Sequence, residues 1–265
     1  MELYNGEAWW EIDATSPNLH TGGTRGIWAG GRSQDIIDYA NLDSTGDAIS
    51  FGTLSVSHFE GFATASRTRF ITGGTLSYAN TVEFVTIAST GGGVNFGDQS
   101  VGRRNCSGSS NGTRGIVSGG IVPGSPYQFT NVIDYVNIAT TSDFKDFGDL
   151  SITLGGGTNQ CNSQTRAIHI GGSTGAQPSV SANNTMEYIT MSTLGNAADF
   201  GDLTTTYGIN KGTASRTRGL FAGGRVKDDE IEYVTIATTG NSIDFGDVTQ
   251  KRRHIKGCSN AHGGL

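Results

Sequence analysis

Residues 113–149 read TRGIVSGGIVPGSPYQFTNVIDYVNIATTSDFKDFGD. Three phrases stand out: TRGIVSGG, an apolar run ending on a glycine pair; VIDYVNIA, which alternates around Tyr135; and the closing DFGD from Asp146. The same phrases recur in the same order five times in 265 residues. The first returns as TRGIWAGG from Thr24, TRFITGG from Thr68, TRAIHIGG from Thr165 and TRGLFAGG from Thr217. Its arginines (Arg25, Arg69, Arg114, Arg166 and Arg218) are 44, 45, 52 and 52 residues apart. A fixed period of this size marks stacked supersecondary units, none of which can bury its apolar faces alone.

Each unit has room for four short strands. In unit three the stretch ahead of Thr113 ends in Asn111-Gly112, a hairpin dipeptide. The TR phrase then reads as the second strand, the tyrosine phrase as the third and the Phe-Gly phrase as the fourth. Along the third strand, Ile133, Tyr135 and Asn137 fall on one face, and Asp134, Val136 and Ile138 on the other. Both faces carry large apolar side chains, as a strand between two neighbouring sheets requires. Composition agrees. Glycine numbers 41 and proline 4, and charged residues are 16% against about 25% in an average protein. A helical bundle needs more charge on its wet faces, and the Thr, Ser, Asn and β-branched content suits strands and turns.

Apolar residues ending in Gly-Gly, then a tyrosine, then a later aromatic resemble the Kelch repeat: here Ile116 to Gly120, Tyr135 and Phe147. The late aromatic is phenylalanine (Phe51, Phe96, Phe147, Phe200, Phe245) where Kelch units carry tryptophan, and five units is fewer than usual. The wording TRG-x-x-x-GG, EYVTIATTG and DFGDLT is similar to repeat-bearing virion proteins of large tailed cyanophages. The opening LYNGEAWWEI is similar to a phrase of phage fibre proteins. The resemblance implies an all-β fold, a single closed five-bladed Kelch-like β-propeller with four-stranded blades over residues 21–265. Residues 1–20 form an N-terminal docking or linker segment. TQKRRHIKGCSNAHGGL, after Val248, parallels DQSVGRRNCSGSSNGTRGI, after Gly97. The C-terminus is therefore expected to supply the first strand of a blade whose other strands begin at Thr24, removing the exposed edges.

Five acids precede the third-strand aromatic: Asp38, Glu83, Asp134, Glu187 and Glu232. With the five arginines they form either a charged ring lining a channel or Arg–carboxylate pairs that hold the units together through bidentate bonds. Recurrence in every unit favours the structural reading. Asp-Phe-Gly, repeated, reads as a turn capped by Asp98, Asp149, Asp202 and Asp247 rather than as a kinase or calcium step. The glycine pairs lack the following helix and lysine of a phosphate cradle. The five histidines show no convergence, and Cys106, Cys161 and Cys258 are too scattered for a disulfide framework or zinc site. No catalytic residue, metal or cofactor is expected.

Departures from the repeat carry the functional expectation. The loop after the glycine pair is long in units three (121–131) and four (173–185), so both insertions should share one rim, where repeat proteins bind. Tyr127, Gln128 and Phe129 with Gln177, Asn183 and Asn184 combine aromatic anchors with adaptable amides. Trp9 and Trp10 bring apolar area that must dock in cis or in trans. Net charge is −6, which speaks against a nucleic-acid footprint, and no apolar run is long enough for a membrane span. The expected protein is a non-enzymatic structural and binding propeller of a phage virion, tail- or surface-associated and made in the host cytoplasm. Its partners are other virion proteins and a host surface glycan or protein. A cytosolic Kelch-type adaptor and a carbohydrate-binding propeller are the alternatives.

Overall fold

The computed structural model describes residues 2–4, 9–11, 24–155, 159–176, 179–207, 211–223 and 229–251. They form antiparallel sheets without a helix. β1 (Glu2–Tyr4) and β2 (Trp9–Glu11) make a hairpin outside the repeat, with Leu3 opposite Trp10 and Tyr4 opposite Trp9. Unit one is β3 (Arg25–Ala29), β4 (Ile36–Asn41) and β5 (Ile49–Thr53). Unit two is β6 (Phe62–Ala65), β7 (Arg69–Gly73), β8 (Thr81–Thr86) and β9 (Val94–Asp98). Unit three is β10 (Ser107–Ser110), β11 (Arg114–Ser118), β12 (Ile121–Val122), β13 (Gln128–Asn137) and β14 (Lys145–Leu154). Unit four is β15 (Asn159–Asn162), β16 (Arg166–Ile170), β17 (Ser173–Ala176), β18 (Ser179–Thr190) and β19 (Ala198–Tyr207). Unit five is β20 (Lys211–Ala214), β21 (Arg218–Ala222), β22 (Glu230–Thr235) and β23 (Ile243–Asp247).

Within each unit the strands pair in a meander, as the phrases predict. Units three and four differ from the four-strand expectation. Their long loops turn back as β12 and β17 and pair with the third strands, so each of these sheets has five strands. The Asp-Phe-Gly phrase also differs: it is not a turn but a bulge inside the fourth strand. Pairing slips between Ile133 and Asp134, opposite Asp146 to Gly148, and equivalently in the other four units. The extra residue is the phenylalanine, and in units two to five the glycine after it takes positive φ (145° at Gly148). The cap comes from the preceding aspartate, whose Asp146 Oδ1 accepts from the Gly148 amide at 3.1 Å.

Sheets of consecutive units pack face to face. Ile37, Phe51 and Leu54 meet Val85 between units one and two, and Ile71 and Phe96 meet Val117 and Val136 between two and three. Ile116, Ile133 and Phe147 meet Ile189 and Met191 next, followed by Ile168 and Phe200 with Phe221 and Val234. First strands lie side by side, β6 on β10, β10 on β15 and β15 on β20. Thr64 Oγ1 donates to the Ser109 carbonyl at 2.9 Å, and Ser110 Oγ to that of Ala65 at 2.7 Å. The fourth-strand edge of one unit is covered by the next unit's third-to-fourth connection. Gly91 N donates to Phe51 O, Gly195 N to Phe147 O and Gly240 N to Phe200 O, all within 2.9 Å. Pairing an edge in this way removes it as an aggregation template. Unit one has three strands among the described residues, and the segment expected to complete it, 252–265, lies outside them.

Candidate functional site

The arginine–carboxylate pairs expected within or between units are not formed among the described residues. Arg114 stands opposite Asn137 and Asp134 opposite Val117, and in a strand of period two this puts arginine and acid on opposite faces of the sheet. Each arginine instead lies over its own third-strand aromatic: Arg25 over Tyr39, Arg69 over Phe84, Arg114 over Tyr135, Arg166 over Tyr188 and Arg218 over Tyr233, at 4.5–4.7 Å from the ring centroid. In units one to four the Nη1 of this arginine reaches forward to a carbonyl of the next unit. Arg25 donates to Ile87 (2.9 Å), Arg69 to Ile138 (3.0 Å), Arg114 to Met191 (2.6 Å) and Arg166 to Ile236 (3.1 Å).

The acids reach backward. Glu83 accepts from the Ser55 amide (2.8 Å) and lies 3.0 Å from His58 Nε2. Asp134 accepts from Ser100 Oγ (2.7 Å) and Arg103 Nη2 (2.5 Å). Glu187 and Glu232 accept from the amides of Ser151 and Thr204, each at 3.2 Å. Burial works against the Glu83 anion, but the His58 and Ser55 hydrogen bonds outweigh it and lower its pKa. At Glu187, burial wins and raises it. Arg103 and His58 are the side-chain partners of the acids that motif reading missed. A positional signal for them existed: each stands seven residues after its unit's bulge phenylalanine.

The two insertions are neighbours. β17 packs on β13 and β14, and Gly155 and Ser173 exchange backbone hydrogen bonds at 2.9 Å each way. The expected anchor Phe129 is corrected to a core residue. It alternates inward opposite Ile121 and lies directly over Gly155. Asn184 donates to the Leu203 carbonyl (3.5 Å) and Asn183 Oδ1 accepts from Thr185 N (3.3 Å), so both amides serve the sheet itself. Gln128 is exposed and Tyr127 half-buried, 6.1 Å from Phe129 between ring centroids. Gln177 lies outside the described residues, as do the side-chain surroundings of Trp9 and Trp10.

Between units three and four sits a buried polar group. His169 Nδ1 is 2.9 Å from Ser118 Oγ and 2.8 Å from Gln160 Nε2, and burial drives its pKa down to about 3. Below the ordinary imidazole range the unfolded chain takes a proton that the folded chain refuses until about pH 3. Stability is therefore expected to fall as pH drops through that window. His169→Gln should flatten the slope, read as melting temperatures at pH 7 and 4.5; identical slopes in both proteins would refute this.

The chain is thus an all-β repeat protein whose polar residues join successive antiparallel sheets. No family model matches it, and no curated protein does. Among solved structures, that of YjhT is similar with a TM-score of 0.62 at 12% identity, over 74% of this chain and 68% of YjhT. At that identity the likeness is one of fold.

Proposed function

We propose that the chain is a closed five-bladed β-propeller of the Kelch-like kind that serves as a non-enzymatic structural and binding component of a phage virion. In this reading each sheet is a blade, the first strands line the axis and the C-terminal segment completes the blade of unit one. The four like interfaces and the convergence of β6, β10, β15 and β20 support the ring. The phage assignment rests on the wording of the repeats.

The observation that carries the binding role is the pair of hairpin extensions stacked on one rim. Polar and aromatic, with no charged residue in 121–131 or 173–185, they suit a host surface glycan or a virion protein held by hydrogen bonds and apolar contact. Trimming both extensions to the loop length of unit two should leave the fold intact and weaken adsorption to host cells or to partner virion protein. The loss should be similar at low and high salt, since screening acts on charges. Unchanged adsorption by the trimmed protein would move the binding role to the N-terminal segment of Trp9 and Trp10.

A further inference from the structure

Four pairs of neighbouring units share three contacts, and the two outer faces of the array carry the parts of a fifth set. The first contact is the arginine reaching the next unit's carbonyl. The unit-five arginine is Arg218, and the matching residue of unit one is Leu42. Leu42 is 67% exposed, whereas its counterparts Ile138, Met191 and Ile236 are at 2% or less and Ile87 is half-buried. The second contact runs from the residue four after the bulge phenylalanine (Ser55, Ser100, Ser151, Thr204) to the next unit's acid. In unit five that residue is Thr249. The acid of unit one, Asp38, has no side-chain partner among the described residues.

The third contact is steric. A Cβ on Gly52, Gly97, Gly148 or Gly201 would meet backbone of the following unit at 2.5 Å or closer. The matching glycine of unit five, Gly246, would carry a Cβ with nothing within 4 Å. Phe245 is correspondingly 49% exposed, whereas Phe51, Phe96, Phe147 and Phe200 are at 3% or less.

We propose that these faces are two halves of one interface and that the occupant of the unit-five face is the first unit of the same chain. Arg218 then donates to the Leu42 carbonyl, Thr249 to the Asp38 carboxylate, and the connection around Gly46 covers Gly246. Closure within one chain is favoured over a second copy because tethered ends meet at an effective concentration of about millimolar. This rests on the closed-ring reading and goes beyond it in naming the groups that seal the ring.

The test compares Arg218→Ala with Arg166→Ala, and Asp38→Arg with Glu187→Arg, by thermal melting, ultracentrifugation and small-angle scattering. Arg218→Ala should lower the melting temperature as Arg166→Ala does, by about 2–4 °C per kcal/mol lost. Asp38→Arg should lower it as Glu187→Arg does, with the protein a monomer. Silent substitutions in a compact monomeric ring would overturn the side-chain assignment and leave the ring reading standing. Head-to-tail oligomers that grow with concentration would overturn closure in cis, and an open monomeric array would overturn both.

Discussion

Arg103→Ala is expected to lower the unfolding free energy by about 3–5 kcal/mol, the range for removing one partner of a buried ion pair. Both Arg103 and Asp134 have side chains at 0% exposure. The guanidinium donates to Asp134 Oδ2, to the Val132 carbonyl at 2.8 Å and to Gln99 Oε1 at 3.1 Å. Truncation leaves the Asp134 carboxylate away from water with only the Ser100 hydroxyl as a donor, and the Val132 carbonyl loses a side-chain donor. Arg104→Ala is the control. That arginine pairs with the partly exposed Glu60 and lies 5.5 Å from the Tyr78 ring, and its loss should cost under about 1 kcal/mol. Urea unfolding of both variants checks the contrast; equal and small effects would show that Asp134 does not depend on its ion pair. Replacing Arg103 and Asp134 together by apolar residues of similar volume should recover most of the loss.

Gly148→Val is expected to cost about 3 kcal/mol or more through two additive effects. Its φ of 145° is closed to a β-branched residue. A Cβ there would also meet the backbone of Gly195 at 2.5 Å, where the fourth unit's connection lies on the edge of β14. Backbone cannot rotate away as a side chain can, so units three and four must part or the strand must shift. Gly112→Val separates the two effects, because Gly112 has φ of 82° with nothing within 4 Å. It should pay the conformational cost alone, about 1–3 kcal/mol. Chemical denaturation of the pair measures the difference, and equal losses would remove the steric part of the account.

The expected sites were legible to different degrees, and the reason is geometric. Repetition exposes what every unit must do, so the arginines and acids were visible as interface residues. Their partners were not, because arginines and acids were expected to pair with each other, within or between units. A two-residue strand period, together with the bulge beside each acid, turns arginine forward and acid backward. Arg103 and His58 escaped notice because they stand in linkers between units, where the repeat is weakest and only the offset from the phenylalanine persists. Phe129 was read as an anchor because a loop aromatic suggests a partner. The folding back of β12 onto β13 turned it into core.

Local chemistry alone was enough for the strands, their order within a unit and the glycine positions, because these follow from alternation, turn residues and positive φ over a few neighbours. The same holds for the number of units, since each repeats the same apolar demand. Which face of each sheet meets which neighbour was decided only when the sheets stacked. The burial of Arg103 against Asp134 and the neutrality of His169 between Ser118 and Gln160 depend on groups 9 to 51 residues apart in the chain. No alternation pattern within a single strand reaches that far. Desolvation and close packing, which act only between assembled units, made those choices.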